Sequence, residues 1–216
     1  MKVGTDGVLL GAWCDVSDAT RALDVGTGCG VIALMIAQRN AHCIIDCIDI
    51  DEYAIDEAWK NVTNSPWSDR IFPSVADFKY FKPQKKYDII VSNPPFFDNG
   101  ILAPEKSRQN ARHNVELSLE QLFGATIPLL TERGKLSMIT PCDAENDIAK
   151  LCEDNLMYIS KKTYVFTKPG KKAKRCLWEI SKEKNATFSS VLHILNEDGS
   201  FSDQYVALCH DFYLNM

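Results

Sequence analysis

The chain has 216 residues, of which 45% are hydrophobic and 25% charged, and its formal net charge is −5. This balance is typical of a globular domain and excludes collagen-like and low-complexity classes. The longest apolar runs, residues 8–13 and 31–37, are far shorter than the roughly 18–20 residues of a membrane span. Since no basic and then apolar leader pattern opens the chain, we predict one cytoplasmic domain over residues 1–216.

Eight cysteines are spread along the chain. Disulfide frameworks belong mainly to short secreted proteins. Only Cys43 and Cys47 are close neighbours, and the second ligand pair that a zinc site needs is missing. We therefore expect buried free thiols and no metal site.

Short strand patterns alternate with amphipathic helix patterns over the first two thirds of the chain. Strands are predicted at residues 21–25, 43–50, 71–75, 87–92 and 135–140, and helices at 31–39, 52–64 and 117–130. Strands separated by helices indicate βαβ units. They predict a mostly parallel α/β sheet with helices on both faces.

The last third of the chain breaks this alternation. Residues 157–167 and 175–181 alternate as strands and are joined by a short turn, 168–174. Such a short connection forces the two strands to be antiparallel neighbours. We therefore predict a seven-stranded, mostly parallel sheet with an antiparallel C-terminal hairpin.

A glycine-rich turn, Asp-Val-Gly-Thr-Gly-Cys-Gly at residues 24–30, follows the first predicted strand. Glycines at such a turn let the backbone approach a ligand closely. The dinucleotide fingerprint requires a further glycine where this chain has Val31, which argues against NAD. The spacing favours S-adenosylmethionine, and the assigned cofactor-binding residues are Asp24, Gly26, Gly28 and Gly30.

Acidic residues stand at the carboxyl ends of the second and third predicted strands. Asp49 lies about 20 residues after the glycine turn, where an acid can accept hydrogen bonds from both ribose hydroxyls. Asp51 is the alternative if the strand ends later. Asp77 could accept from an adenine amino group while Phe78 covers the ring. These acids would meet at the edge where open α/β sheets bind ligands, and we assign Asp49, Ile50, Asp77 and Phe78 to the cofactor.

Asn93-Pro94-Pro95-Phe96 follows the fourth predicted strand directly. The prolines fix φ and remove donors, which leaves the carbonyls of Asn93 and Pro94 free to accept. An exocyclic amine held between the Asn93 side-chain oxygen and the Pro94 carbonyl would turn its conjugated lone pair towards a sulfonium methyl, with Phe96 stacked on the base. We predict that Asn93, Pro94, Pro95 and Phe96 are catalytic and that Asn93 also borders the cofactor. A merely rigid turn is the alternative.

These motifs resemble those of the class I amino-methyltransferases, which have a Rossmann-like fold. The opening Met-Lys-Val-Gly-Thr-Asp-Gly-Val-Leu-Leu-Gly-Ala-Trp and the closing Asp-Phe-Tyr-Leu at 211–214 are similar to the bacterial tRNA(Val) adenine-37 N6-methyltransferases. The resemblance covers nearly the whole chain, although family members carry an additional segment before this opening. It implies S-adenosylmethionine as cofactor, tRNA as partner and N6-methylation of an anticodon-loop adenine. The opening residues that it places against the cofactor are Gly4, Thr5, Asp6 and Gly7.

Basic residues near the Pro-Pro turn indicate contacts with RNA. Residues 157–186 carry nine Lys and Arg against two acids, in a chain whose net charge is negative. The long irregular stretch 93–114 is also typical of a functional loop. We predict phosphate contacts from two groups, Lys106, Arg108 and Arg112 in the loop and Lys168, Lys171, Lys172, Lys174 and Arg175 in the hairpin. A solvated charged hairpin is the alternative, and His113 is expected to be structural.

Three other functions remain open from the sequence. A protein glutamine-N5 methyltransferase would use the same Asn-Pro-Pro-aromatic motif, because an amide nitrogen is equally unreactive. Adenine methylation of DNA or ribosomal RNA shares the chemistry, but DNA enzymes generally add a recognition domain for which 216 residues leave little room. A non-catalytic RNA-binding relative would bind RNA without methyl transfer. The sequence makes no prediction about the oligomeric state.

Overall fold

The computed structural model describes residues 4–94 and 117–214. The described helices are α1 (Thr5–Trp13), α2 (Val31–Arg39), α3 (Glu52–Thr63), α4 (Leu119–Thr126), α5 (Glu145–Asp154) and α6 (Asp203–Cys209). The described strands are β1 (Arg21–Val25), β2 (Ile44–Asp49), β3 (Ile71–Val75), β4 (Tyr87–Ser92), β5 (Leu130–Pro141), β6 (Tyr158–Phe166), β7 (Ala173–Ser181) and β8 (Phe188–His193). None of these helices is long and apolar enough to cross a membrane.

The strands form one sheet in the order β3-β2-β1-β4-β5-β7-β6-β8. The first five strands pair in parallel, and β7 runs antiparallel between β5 and β6. The predicted parallel sheet with its antiparallel hairpin is therefore confirmed, but the predicted count of seven strands is wrong. The eighth strand, β8, lies at the sheet edge, where only one of its six residues is buried and the side chains show no regular alternation. Its parallel pairing with β6 makes it a strand.

The strand order reverses between β1 and β4, which are hydrogen-bonded neighbours. Val25, the last residue of β1, pairs with Ser92, the last residue of β4. The glycine turn after β1 and Asn93 after β4 therefore leave the sheet side by side. Such a reversal point, at the carboxyl ends of the strands, is where open α/β sheets bind ligands.

Two apolar layers cover the sheet because alternate strand residues point to opposite faces. Ile45 and Ile89 face the layer that contains α1, α2 and α6, whereas Ile48 and Ile90 face the layer of α4 and α5. Helix α1 is buried on nearly all sides, so its sequence has no amphipathic pattern from which to predict a helix. All eight cysteines are free, and all but the partly exposed Cys142 are buried, in agreement with the prediction.

Candidate active site

The glycine turn folds back over the end of β2. Gly26, Gly28 and Gly30 all have positive φ, between 58° and 83°, a region that other residues rarely adopt. The amides of Gly26 and Thr27 both donate to the carbonyl of Ile48, over 2.9 and 3.0 Å. The turn is thus held by backbone hydrogen bonds and requires glycine at its bends.

Asp24 is the buried acid of the site. Its side chain is fully buried, and Thr27 Oγ1 donates to its Oδ2 over 2.6 Å. The other oxygen, Oδ1, is also buried but has no hydrogen-bond partner among the described residues. Burial raises the pKa of Asp24 to about 7 against the opposing hydrogen bonds from the Thr27 hydroxyl and the Ala33 amide, and the charge of Asp49 adds a smaller increase. An unpartnered buried carboxylate oxygen is costly, so this position fits a ligand that brings a positive donor.

Asp49 ends β2 beside the turn, as predicted. Its Oδ2 accepts from the amide of Gly28 over 2.9 Å, and its Oδ1 accepts from the amide of Asp51 over 3.0 Å. A carboxylate has about four lone-pair sites, so Asp49 can still accept from two ribose hydroxyls. Asp51 instead caps α3 by accepting from the amide of Tyr53, so the alternative assignment is structural. The adjacent Ile50 is 52% exposed and offers an apolar surface to a base.

Asp77 and Phe78 follow β3 at the same edge. The Ala76 amide donates to the Asp49 carbonyl over 2.9 Å, which joins the ends of β2 and β3. Asp77 caps a short 3₁₀ turn by accepting from the Lys79 amide, and its second oxygen lies 3.4 Å from Lys79 Nζ. Phe78 is only 5% exposed and packs in the core. Little of its ring is therefore open to a bound base, and its predicted contact with adenine stays a prediction.

Asn93 is half-buried and is followed by the buried Pro94. A Cβ added to Gly7 would lie 3.9 Å from Asn93 Nδ2 and 3.6 Å from Val31 Cγ1. The first turn of α1 therefore lies close to the Asn93 side chain and the start of α2, with room for little more than one methyl group between them. The structure thus brings the Gly-Thr-Asp-Gly stretch to the predicted active site, although the two segments are far apart in sequence.

The lysine-rich turn lies at the same edge of the sheet, because β7 begins where β5 ends. Arg175 pairs with Pro141, the last residue of β5. Lys171, Lys172 and Lys174 are exposed, and Lys168 is partly exposed. Arg175 differs from these lysines, because its Nε donates to Asp6 Oδ2 over 2.8 Å.

Several predicted residues lie outside the described parts of the chain: Pro95, Phe96, Lys106, Arg108 and Arg112. Sequence reasoning missed Thr27 as the partner of Asp24, although its position three residues later in the same turn is a usable signal. It also missed the pairing of Asp6 with Arg175. Those residues are separated by 169 positions, so no local pattern indicates their contact.

Chemically, this edge of the sheet combines three features. Asp24 offers a buried anionic acceptor and Asp49 a half-exposed one, while the half-buried Asn93 offers an amide between them and the basic hairpin. The arrangement can hold a ligand that carries a cation and a ribose, and it can place an amine beside that ligand.

A family model described as the methyltransferase small domain matches residues 7–141. Curated relatives named tRNA1(Val) (adenine(37)-N6)-methyltransferase match the chain over its length. The relative from Phocaeicola vulgatus is 41% identical over 216 residues, which are 100% of this chain and 92% of the relative. The relative from Trichodesmium erythraeum is 41% identical over 218 residues, covering 99% of this chain and 91% of the relative.

Solved structures agree with the fold. A protein of Agrobacterium tumefaciens described as a predicted O-methyltransferase has a TM-score of 0.76 at 18% identity, over 95% of this chain and 96% of that one. Ribosomal protein L11 methylase from Lactobacillus delbrueckii has a TM-score of 0.57 at 18% identity, over 82% of this chain and 77% of that one. These likenesses show the fold alone, and they confirm the predicted Rossmann-like methyltransferase architecture.

Proposed function

The chain belongs to the family of the tRNA1(Val) (adenine(37)-N6)-methyltransferases, and we propose that it transfers a methyl group from S-adenosylmethionine to N6 of adenine 37 in tRNA1(Val). The observation that carries this proposal is the position of Asn93. It follows β4 directly, next to the glycine turn that follows β1. The amide that would hold the amine therefore lies beside the place for the methyl donor.

The residues at the edge of the sheet fit S-adenosylmethionine. The unpartnered Oδ1 of Asp24 would accept from the amino group of its methionine part. Asp49 would accept from the ribose hydroxyls, and Ile50 would pack on the adenine. Asp77 would accept from the adenine amino group through lone pairs that its contacts with Lys79 leave free.

Asn93 and Pro94 would act on the amine of the substrate. The lone pair of an exocyclic amine is conjugated with the ring, which makes the amine a weak nucleophile. Acceptors on both N–H groups, the Asn93 side-chain oxygen and the Pro94 carbonyl, would hold the amine so that this lone pair faces the donor. When bound, S-adenosylmethionine supplies a methyl group on a positively charged sulfonium, which makes a strong general base unnecessary. Phe96 would stack on the adenine and orient it.

The exposed lysines of the hairpin turn support RNA as the substrate. Enzymes that modify a base must present it unstacked in a pocket, and a base in a loop requires little unpairing. Lys171, Lys172 and Lys174 lie on the edge of the sheet that carries Asn93, so they would contact phosphates beside the bound loop.

To test this proposal, the purified protein is incubated with labelled S-adenosylmethionine and unmodified tRNA from a strain that lacks the gene. The tRNA is then digested and its labelled nucleosides are identified. We expect N6-methyladenosine in a single tRNA. Asn93→Ala should remove this label, whereas the matched control Asn185→Ala, an exposed residue away from the site, should retain it. Label in a protein extract but not in tRNA would indicate glutamine methylation. Cofactor binding without any label would indicate a non-catalytic relative.

A further inference from the structure

An ion pair joins the first turn of α1 to the start of β7. Arg175 Nε lies 2.8 Å from Asp6 Oδ2, and both side chains are 34% exposed. A second guanidinium nitrogen of Arg175 donates to the backbone carbonyl of Lys174 over 3.2 Å. Two of its three nitrogens are therefore engaged within the chain. Among the basic residues of the hairpin, Arg175 is poorly placed to bind an RNA phosphate.

The backbone of Arg175 lies inside the sheet, so its side chain attaches the start of α1 to an ordered strand. Arg175 pairs with Pro141 of β5 on one side and with Val165 of β6 on the other. Asp6 lies in the first helical turn, where the helix dipole favours an acid. Gly4, the N-cap of α1, provides no side-chain cap. The ion pair therefore supplies a polar side-chain attachment at an otherwise uncapped helix start.

The turn held by this ion pair lies close to Asn93, the proposed catalytic asparagine. Gly7 follows Asp6 directly, and its position lies against Asn93 Nδ2 and Val31 Cγ1. The rest of α1, from Val8 to Trp13, is buried. Loss of the ion pair should thus loosen the first turn beside Asn93 without unfolding the helix.

Resting on the proposed function, we propose that Arg175 is a positioning residue for methyl transfer. Through Asp6 it fixes the first turn of α1, and that turn, at Gly7, limits the space beside the Asn93 side chain. The lysine-rich turn leads directly into Arg175, so the same strand start carries the RNA contacts and supports the catalytic amide. This role replaces the predicted contact between Arg175 and an RNA phosphate.

The kinetic test compares wild type, Arg175→Gln, Asp6→Asn and the double variant. Arg133→Gln is the matched control, because its side chain is 92% exposed at the far end of β5. We expect each single variant to lower kcat on the order of tenfold through misplacement of Asn93. The double variant should be no worse than either single variant, because both remove one interaction. The KM for tRNA and its salt dependence should stay unchanged.

Effects on the KM for tRNA instead of on kcat would assign Arg175 to RNA binding. In that case Arg175→Gln would raise the KM for tRNA, flatten its salt dependence and leave kcat intact, with effects additive to those of Asp6→Asn. Either a changed KM of this kind or additivity overturns the proposal. Arg175→Lys keeps the charge and the reach, so it should restore part of the lost kcat.

Hydrogen exchange provides a readout that does not depend on activity. In Arg175→Gln we expect faster exchange of the Val8 amide, which closes the first turn of α1 by donating to the Gly4 carbonyl over 3.3 Å, while peptides from β1 and β4 keep their protection. Unchanged exchange in that turn would overturn the positioning role. If wild type transferred no methyl group to tRNA, the proposed function would fail, but exchange would still decide whether the ion pair holds α1.

Discussion

Acidification should weaken the binding of S-adenosylmethionine through one residue, Asp24. In the proposed complex its buried Oδ1 accepts from the cationic amino group of the cofactor, which requires the ionised carboxylate. Burial raises the pKa of this carboxyl to about 7 in the ligand-free protein. A pH change within the range of ordinary assays therefore changes the fraction of protein that can bind.

The size of the effect follows from that pKa. With a pKa of about 7, the ionised fraction falls from about three quarters at pH 7.5 to about 3% at pH 5.5. The α-amino group of the ligand has an ordinary pKa near 7.8, so it stays mostly protonated over this range. We expect the Kd for S-adenosylmethionine to rise about twentyfold between pH 7.5 and pH 5.5.

Calorimetric titration in two buffers of different ionisation enthalpy measures both the Kd and the protons released. Binding should release about half a proton at pH 7 and close to one proton at pH 6 and below. Asp24→Asn should bind weakly with a nearly flat pH profile, since its side chain does not titrate. A change in Kd below threefold in the wild type, or the same pH profile in Asp24→Asn, would refute the role of this carboxylate.

The ionisation of Asp24 should also change the stability of the ligand-free protein with pH. The carboxyl of Asp24 ionises near its usual pKa of 3.8 in the unfolded chain but only at about 7 in the folded one. The folded state therefore holds the proton more tightly, so the free energy of unfolding falls as the pH rises from about 4 to about 7. The limiting slope is about 1.4 kcal/mol per pH unit. Urea unfolding of wild type and Asp24→Asn at several pH values measures this difference.

Three further variants separate the parts of the site. Asn93→Ala should lower kcat on the order of 100-fold or more with an intact cofactor Kd, measured by single-turnover kinetics, because its amide acts on the amine. Asp49→Ala should raise the Kd for S-adenosylmethionine on the order of tenfold to 100-fold by removing charged acceptors, and an unaffected Kd would contradict the ribose contact. Replacing Lys171 and Lys172 by Gln should lower the slope of log KM for tRNA against log salt by about one to two, and an equal slope would exclude them as phosphate contacts.

Much of the site could be predicted because its parts are local in sequence. The positive φ of Gly26, Gly28 and Gly30 follows from a glycine turn between a strand and a helix. Asp49 was placed correctly at the end of β2, since a buried strand pattern stops there, and Asp51 is the helix cap. The antiparallel hairpin followed from the length of one turn.

Elements without a local pattern could not be predicted. Strand β8 has only one buried residue among its six, so no buried face marks it in the sequence and pairing with β6 defines it. Helix α1 is buried all round because it packs between α2 and α6. Neither strand alternation nor helical amphipathicity marks such segments, since both signals require one buried and one solvated face.

The sequence by itself determined the order of strands β1–β7 and of helices α2, α3 and α4, the glycine turn, and the acids and amide at the strand ends, because each depends on neighbours along the chain. Only the tertiary structure decided which distant residues meet. It placed Gly7 close to Asn93 and paired Asp6 with Arg175. It also buried Asp24 and so raised its pKa to about 7. Burial and long-range contact are properties of the packed chain, and for that reason no pattern of neighbouring residues records them.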